Sequence, residues 1–229
     1  MARTPDAPRP ILLSWSSGKD SAFALTALLG DPSVEVRGLV TSVNGVHDRV
    51  AMHAVRRRLL RAQAASLGLP LHEVELPFPC SNEAYERAME AALRPHVEAG
   101  IEGMAFGDLF LEDVRRYRED QCAAVGMDSL FPLWGRETGA LASEMIGSGQ
   151  RAVLTCVDPE QVDPSFAGRA FDEALLADLP EGADPCGEKG EFHTFVWDGP
   201  SFNEPIGVEV GEVVERGGFH YADLLPRDA

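Results

Sequence analysis

The run Ser14-Trp15-Ser16-Ser17-Gly18-Lys19-Asp20-Ser21 follows the apolar triplet Ile11-Leu12-Leu13 and leads into a helix-like stretch from Ala22 to Leu29. A strand that ends in a turn of small residues and feeds a helix presents backbone N–H groups and the positive end of a helix dipole to one point in space. With one lysine in that turn, the point is a phosphate site. The spacing excludes a Walker A loop, because Leu13 stands where its first glycine belongs and Asp20 stands where its Ser/Thr belongs. Taken alone, the same residues also fit an ordinary strand-to-helix turn capped by Ser or Asp.

Ser16 to Ser21 resembles the Ser-Gly-Gly-Lys-Asp-Ser loop of the N-type ATP pyrophosphatases, which grip the pyrophosphate of ATP while the α-phosphate is attacked. Ser17 replaces the first glycine of that pattern. If the position needs φ > 0, a serine there costs on the order of 1 kcal/mol, and its hydroxyl adds a donor.

Downstream, short apolar runs alternate with longer amphipathic ones, the pattern of a parallel sheet covered by helices. The strand candidates are Ile11 to Ser14, Val34 to Thr41, Leu71 to Leu76, Met104 to Phe106 and Ser129 to Leu133. Val50 to Leu67 reads as helix with Gly68 and Pro70 as its stop, and Ser81 caps a run from Asn82 to Ala99 that Pro95 should kink or end. Leu109 to Val125 is a third helix, closed by Gly126.

Past Pro132-Leu133-Trp134-Gly135-Arg136 the composition changes. A helix from Gly139 to Ile146 and a buried-looking strand from Ala152 to Val157 precede irregular, acidic, Gly/Pro-containing sequence. The expected fold is α/β, with a nucleotide domain over 1–135 and a smaller α+β domain over 136–229. A length of 229 residues fits that division, given typical domains of about 100–200 residues.

Charge narrows the partners. With 20 basic and 37 acidic side chains the net charge is −17, so the long-range field opposes nucleic acid and anionic membranes. A bound ATP must then be held by local donors and a metal ion. Cys80, Cys122, Cys156 and Cys186 are widely spaced with no Cys-x-x-Cys pair, which suits a reducing cytosol. No apolar run approaches the ~18 residues of a membrane span, and Met1 to Pro10 lacks a signal segment. The expected setting is cytoplasmic, without membrane or nucleic acid, and compatible with a homo-oligomer.

In the second half, Gly187-Glu188-Lys189-Gly190-Glu191-Phe192-His193-Thr194 gathers two carboxylates, an imidazole and a hydroxyl around two glycines. On composition alone a solvated charged turn is the better reading. Together with the loop at Ser16 to Ser21 and the Pro132 to Arg136 segment, however, it recurs in the same order in the diphthine–ammonia ligase family of the adenine nucleotide α-hydrolase superfamily. The similarity runs from about Ile11 to Pro200.

The resemblance implies a flavodoxin-like nucleotide domain and an ATP-dependent amidation, in which a carboxylate is activated as an acyl-adenylate, pyrophosphate leaves, and ammonia or a small amine attacks. It implies ATP and Mg²⁺ as cofactors, and a small-molecule or protein-borne carboxylate as partner. Archaeal and eukaryotic members look like Glu-Gly-Gly-Glu-Phe/Tyr-Glu-Thr, where this chain has Lys189 and His193 as departures. The chain looks like the bacterial branch, in which the diphthamide substrate is not expected. A bacterial small metabolite, cobalamin-related by association, is the alternative substrate, and a non-catalytic ATP or AMP sensor is the alternative class. Thiolation of tRNA is disfavoured by the acidic charge and the lack of paired cysteines.

The resemblance assigns roles residue by residue. Ser16, Ser17, Gly18, Lys19, Asp20 and Ser21 would bind the polyphosphate, with Asp20 also holding Mg²⁺ or serving simply as a helix N-terminal acid. Glu188, Glu191 and His193 would do the acid–base work. His53, Asp108, Arg136 and Thr194 are expected near the substrate, although His53 reads equally as a core histidine and Arg136 as an interdomain salt bridge. Cys186 lacks a definite base partner for a nucleophilic role.

Overall fold

A computed structural model describes residues 7–45, 49–50 and 55–227. Strands β1 (Arg9–Ser14), β2 (Val34–Asn44), β3 (Arg49–Val50), β4 (Leu71–Leu76), β5 (Gly103–Ala105) and β6 (Asp128–Leu130) form one sheet. All its pairings are parallel except the short hairpin of β3 on β2. β1 lies at the centre, with Leu13 opposite Leu39 of β2 and Ala105 of β5. The chain winds outward from β1 through β2 to β4, then returns across β1 to β5 and β6. The order therefore reverses between β1 and β5, and a crevice at their carboxyl ends is where an open α/β sheet takes ligands.

Alternation along β1 explains the two layers. Ile11 and Leu13 join a core cluster with Phe23, Leu25 and Leu28 of α1 (Lys19–Leu29) and Leu59 and Leu60 of α2 (Arg57–Leu67). Leu12 points the other way, into a cluster with Met89 and Leu93 of α3 (Asn82–Glu98) and Cys122 of α4 (Glu112–Val125). Period-2 side chains thus place one helical layer on each face.

The punctuation of these helices is local chemistry. Gly68 and Gly126 end α2 and α4 in the left-handed conformation, at φ +67 and +80. The Ser81 hydroxyl accepts from the Ala84 N–H at 3.2 Å to open α3. Two expectations are corrected. Val50 is paired with Val43 in β3, and the helix read from Val50 begins only at Arg57. Pro95 does not end α3 at its position, for the helix continues to Glu98; Ala91, whose carbonyl loses its partner, is exposed to water.

The rest of the chain is more regular than its composition suggests. After α5 (Thr138–Gly147), strand β7 (Arg151–Val157) pairs antiparallel with β8 (Phe192–Asp198) and β10 (Phe219–Pro226), and β9 (Val208–Arg216) forms the far edge. A short helix, α6 (Glu173–Asp178), lies between β7 and β8. Leu154, Phe195 and Val196 belong to the same core cluster as Leu13 and Leu25, so this second sheet packs onto the α1 side of the first. The architecture is a largely parallel sheet flanked by helices with a smaller antiparallel sheet behind it. Among the described residues no helix is long and apolar enough to cross a membrane.

Candidate functional site

The turn after β1 is held in shape by strand β8. Ser17 has φ 71, the left-handed conformation for which its glycine counterpart is suited. Its carbonyl accepts from the Val196 N–H at 2.9 Å and from Gln63 Nε2 at 3.1 Å. Gln63, fully buried on α2, also donates to the Val196 carbonyl at 2.6 Å and accepts from Trp15 Nε1 at 3.0 Å. The Lys19 N–H donates to Thr194 Oγ1 at 3.0 Å, and Gln150 Nε2 donates to the Lys19 carbonyl at 3.1 Å. Ser21 Oγ donates to the Gly18 carbonyl at 3.0 Å and lies 3.1 Å from Ser16 Oγ.

The Lys19 side chain is only 2% exposed. Its ammonium donates to both carboxylate oxygens of Asp20, at 2.8 and 2.7 Å, and to the Cys186 carbonyl. The Phe171 and Phe192 rings flank it at 5.6 and 5.7 Å. Burial pushes its pKa down, but Asp20, followed by smaller contributions that include Glu188, outweighs burial and holds it above the ordinary value. The lysine is therefore a fixed cation. Burial also raises the Asp20 carboxyl, against the pull of Lys19.

These groups open into a cavity of about 270 Å³ at the reversal point of the sheet. Ser16, Lys19, Asp20 and Ser21 line it from the turn, Gly107 and Asp108 from the end of β5, and Arg118 from α4. Gly187, Glu188, Gly190, Phe192, His193 and Thr194 close the opposite wall. Gly107 is required sterically, since a Cβ there would stand 2.9 Å from the backbone of Asp20 and Ser21. Its absence lets β5 approach the start of α1.

Electrostatics in the cavity are tuned mainly by burial. The Glu188 carboxyl is pushed up to about 7, with burial first, partly offset by the Leu109 N–H that donates to Oε1 at 2.7 Å. His193 is pushed down to about 4, by burial and then by the nearby Lys19 charge, so it is neutral at pH 7. Burial raises Asp108 as well, opposed by Arg118. A carboxyl poised near neutrality beside a neutral imidazole can exchange a proton with an incoming nucleophile.

Not every residue singled out in the sequence reaches this cavity. Ser17 and Gly18 shape the turn without lining it. Glu191 is 1% exposed and stands behind the wall: Oε1 accepts from the Asp184 N–H at 2.8 Å and Oε2 from the Lys189 N–H at 2.9 Å. It braces the 184–191 loop, because the two glycines turn Glu188 inward and leave Glu191 among backbone donors. Arg136 pairs with Glu144 of α5, at the surface. The Trp134 of its segment packs against the Arg115 guanidinium at 4.7 Å. Burial pushes the Cys186 thiol up to about 12, and it donates to the Thr138 carbonyl, which is packing rather than nucleophile chemistry. His53 lies outside the described residues.

Arg118 and Gln63 went unread in the sequence. No local signal marks either one. Among the described residues no group of three or more His, Cys, Asp or Glu is arranged to hold a metal ion. Asp20, Asp108 and Glu188 all line the one cavity.

Comparison with known proteins accords with this arrangement. A relative from Danio rerio, "Diphthine--ammonia ligase", is 29% identical over 220 residues, covering 87% of this chain and 86% of its own length. The Homo sapiens protein of the same name is 28% identical over 232 residues, covering 92% and 85%. A Schizosaccharomyces pombe counterpart is 26% identical over 88% of this chain, which spans 36% of that longer protein. Residues 10–129 match the family model "Diphthamide synthase N-terminal domain", and 137–222 match "Diphthamide synthase C-terminal domain". With both models matched in order over most of its length, the chain belongs to the diphthamide synthase family.

Proposed function

We propose that the chain is an ATP-dependent amide-forming ligase that activates a carboxylate as an acyl-adenylate and passes the acyl group to ammonia or a small amine. The observation that carries this reading is the meeting of Lys19, Ser16 and Ser21 with Glu188 and His193 on a single cavity. Phosphate donors and acid–base groups face one another there, as an adenylation followed by an aminolysis requires.

The triphosphate of ATP enters as substrate against the Ser16 to Ser21 turn, where Lys19 and the start of α1 offset its charge. Asp20 would hold a Mg²⁺, which would supply charge neutralisation of the leaving pyrophosphate. A carboxylate oxygen of the acid attacks the α-phosphorus, and the bond to the bridging oxygen breaks with its electron pair going to pyrophosphate. The amine then attacks the acyl carbon and AMP leaves. Glu188, ionised above about pH 7, accepts the proton that the amine gives up. His193 remains neutral and positions the acceptor, and Thr194 holds the turn by its bond to Lys19.

Of the two departures from the diphthine-type loop, His193 lines the cavity and Lys189 does not. A changed side chain on the wall favours a carboxylate substrate other than diphthine, as the bacterial branch would need, although the relatives compared above are eukaryotic. The setting we infer is cytoplasmic, without nucleic acid.

Incubating the protein with ATP, Mg²⁺, ammonium and a panel of carboxylic acids should yield AMP and pyrophosphate in equal amounts with a competent acid. ADP and orthophosphate without AMP would exclude the reading. Lys19→Ala should weaken ATP binding at least ~10-fold, since a charge-assisted contact is lost; equal affinity in a folded variant would remove the phosphate assignment.

A further inference from the structure

A second cavity, of about 340 Å³, opens between α3 and α4 on the face of the sheet opposite α1. Met89, Leu93, Met104 and Cys122 give it apolar walls. It shares Ser14, Phe106 and Arg118 with the phosphate cavity, so those three residues are the partition between the two.

Arg118 is half-buried and poorly satisfied for a cation turned into a cavity wall. Nη1 donates to the Tyr85 hydroxyl at 3.4 Å, the guanidinium lies 5.2 Å from the Phe106 ring, and Asp108 Oδ2 is 3.9 Å from Nε, beyond hydrogen-bond reach. Nε itself is buried with no hydrogen-bond partner. A buried N–H left unmade is destabilising, and the group whose shape matches a guanidinium edge is a carboxylate accepting two parallel bonds.

We propose that Arg118 receives the carboxylate of the acid substrate and that the α3–α4 cleft holds its carbon chain. The proposal rests on the adenylation reading, which needs a carboxylate next to the α-phosphate. The partition between the two cavities meets that need. An oxygen of the carboxylate attacks phosphorus, pyrophosphate departs with the electron pair of the broken bond, and no proton moves.

The cleft also sets a substrate class. Glu86, Glu90 and Asp120 also line it, and among the described residues only Glu90 of the three has a cationic partner, Arg94. A second carboxylate at the outer end of the substrate would meet those charges. The substrate is therefore a monocarboxylic acid whose carbon chain bears no second negative charge.

The test measures binding of hexanoate, 6-aminohexanoate and adipate by calorimetry to the whole protein holding Mg²⁺ and α,β-methylene-ATP, which cannot be cleaved at the α–β bond. Hexanoate and 6-aminohexanoate should bind at least tenfold more tightly than adipate. Arg118→Met keeps volume and removes charge, and should weaken hexanoate at least tenfold while leaving α,β-methylene-ATP affinity within twofold. Met89→Trp, which fills the cleft, should do the same by a different route, so failure of one variant to fold leaves the other as the test. Absence of hexanoate binding to the unaltered protein overturns the proposal, as does hexanoate binding that both variants leave unchanged. A loss in Arg118→Met that falls on the nucleotide instead also overturns it and gives the cleft to adenosine. If no acid yields AMP while Arg118-dependent hexanoate binding persists, the adenylation reading fails and the carboxylate pocket stands.

Discussion

Glu191→Gln separates a bracing carboxylate from a reacting one. Each Glu191 oxygen accepts one backbone N–H, from Asp184 and Lys189, in a position almost closed to water. Glutamine is nearly isosteric but keeps one acceptor, and its NH₂ must face the second N–H. One charge-assisted bond is lost, at about 1.5–3 kcal/mol, and one buried donor is left unmade, at about 1–3 kcal/mol. The sum, about 2.5–6 kcal/mol, is a large part of the ~5–15 kcal/mol that holds a domain together.

Urea denaturation followed by tryptophan fluorescence should show a midpoint shift of that size with an unchanged slope. Turnover per folded molecule should stay near that of the parent. Glu188→Gln should do the reverse, since its amide oxygen can keep the bond to the Leu109 N–H while the ionisable group is gone. A Glu191→Gln protein with an unmoved midpoint and poor turnover would refute the bracing role.

Two further outcomes follow from the site. Glu188, raised to about 7 by burial, should give an acyl-transfer limb that rises with pH to a midpoint near 7 and disappears in Glu188→Gln. Because its folded pKa lies above the unfolded value, its contribution to stability is complete below about pH 4.5 and is lost as pH rises through about 7, which denaturation at pH 5 and 8 will register. Ser17→Gly relieves a left-handed serine whose buried hydroxyl has no hydrogen-bond partner. It should raise stability by about 1 kcal/mol, and a fall of that size in the denaturation free energy would show that the hydroxyl is needed.

The sequence was readable where local chemistry decides the structure. Ser81, Gly68 and Gly126 stop or start helices through their own backbone preferences, and Ser17 stands where a positive φ was anticipated. It was unreadable where partners are distant. Gln63 looks like any polar helix residue until Trp15, Ser17 and Val196 surround it. Arg118 is one of three arginines on α4, and only the fold shows that it is the one lining the cavity opposite Glu188 and His193. Glu188 and Glu191 are alike as letters; the positive φ of Gly187 and Gly190 decides which one faces the cavity. β9 escaped notice because neither of its faces is buried, so no alternation of apolar and polar residues records it.

The bonds that join the phosphate turn to β8 have a consequence for the order in which the protein matures. Ser17 and Lys19 leave the ribosome early, yet the Val196 N–H and the Thr194 hydroxyl that fix them are made 175 residues or more later. Contacts so far apart in the chain close slowly, and here the chain must be almost complete before they can close at all. A nascent chain that has built β1, α1 and the parallel sheet still carries an unfinished nucleotide turn. If the turn binds ATP as proposed, that binding waits until the wall bearing Glu188 and His193 has been synthesised.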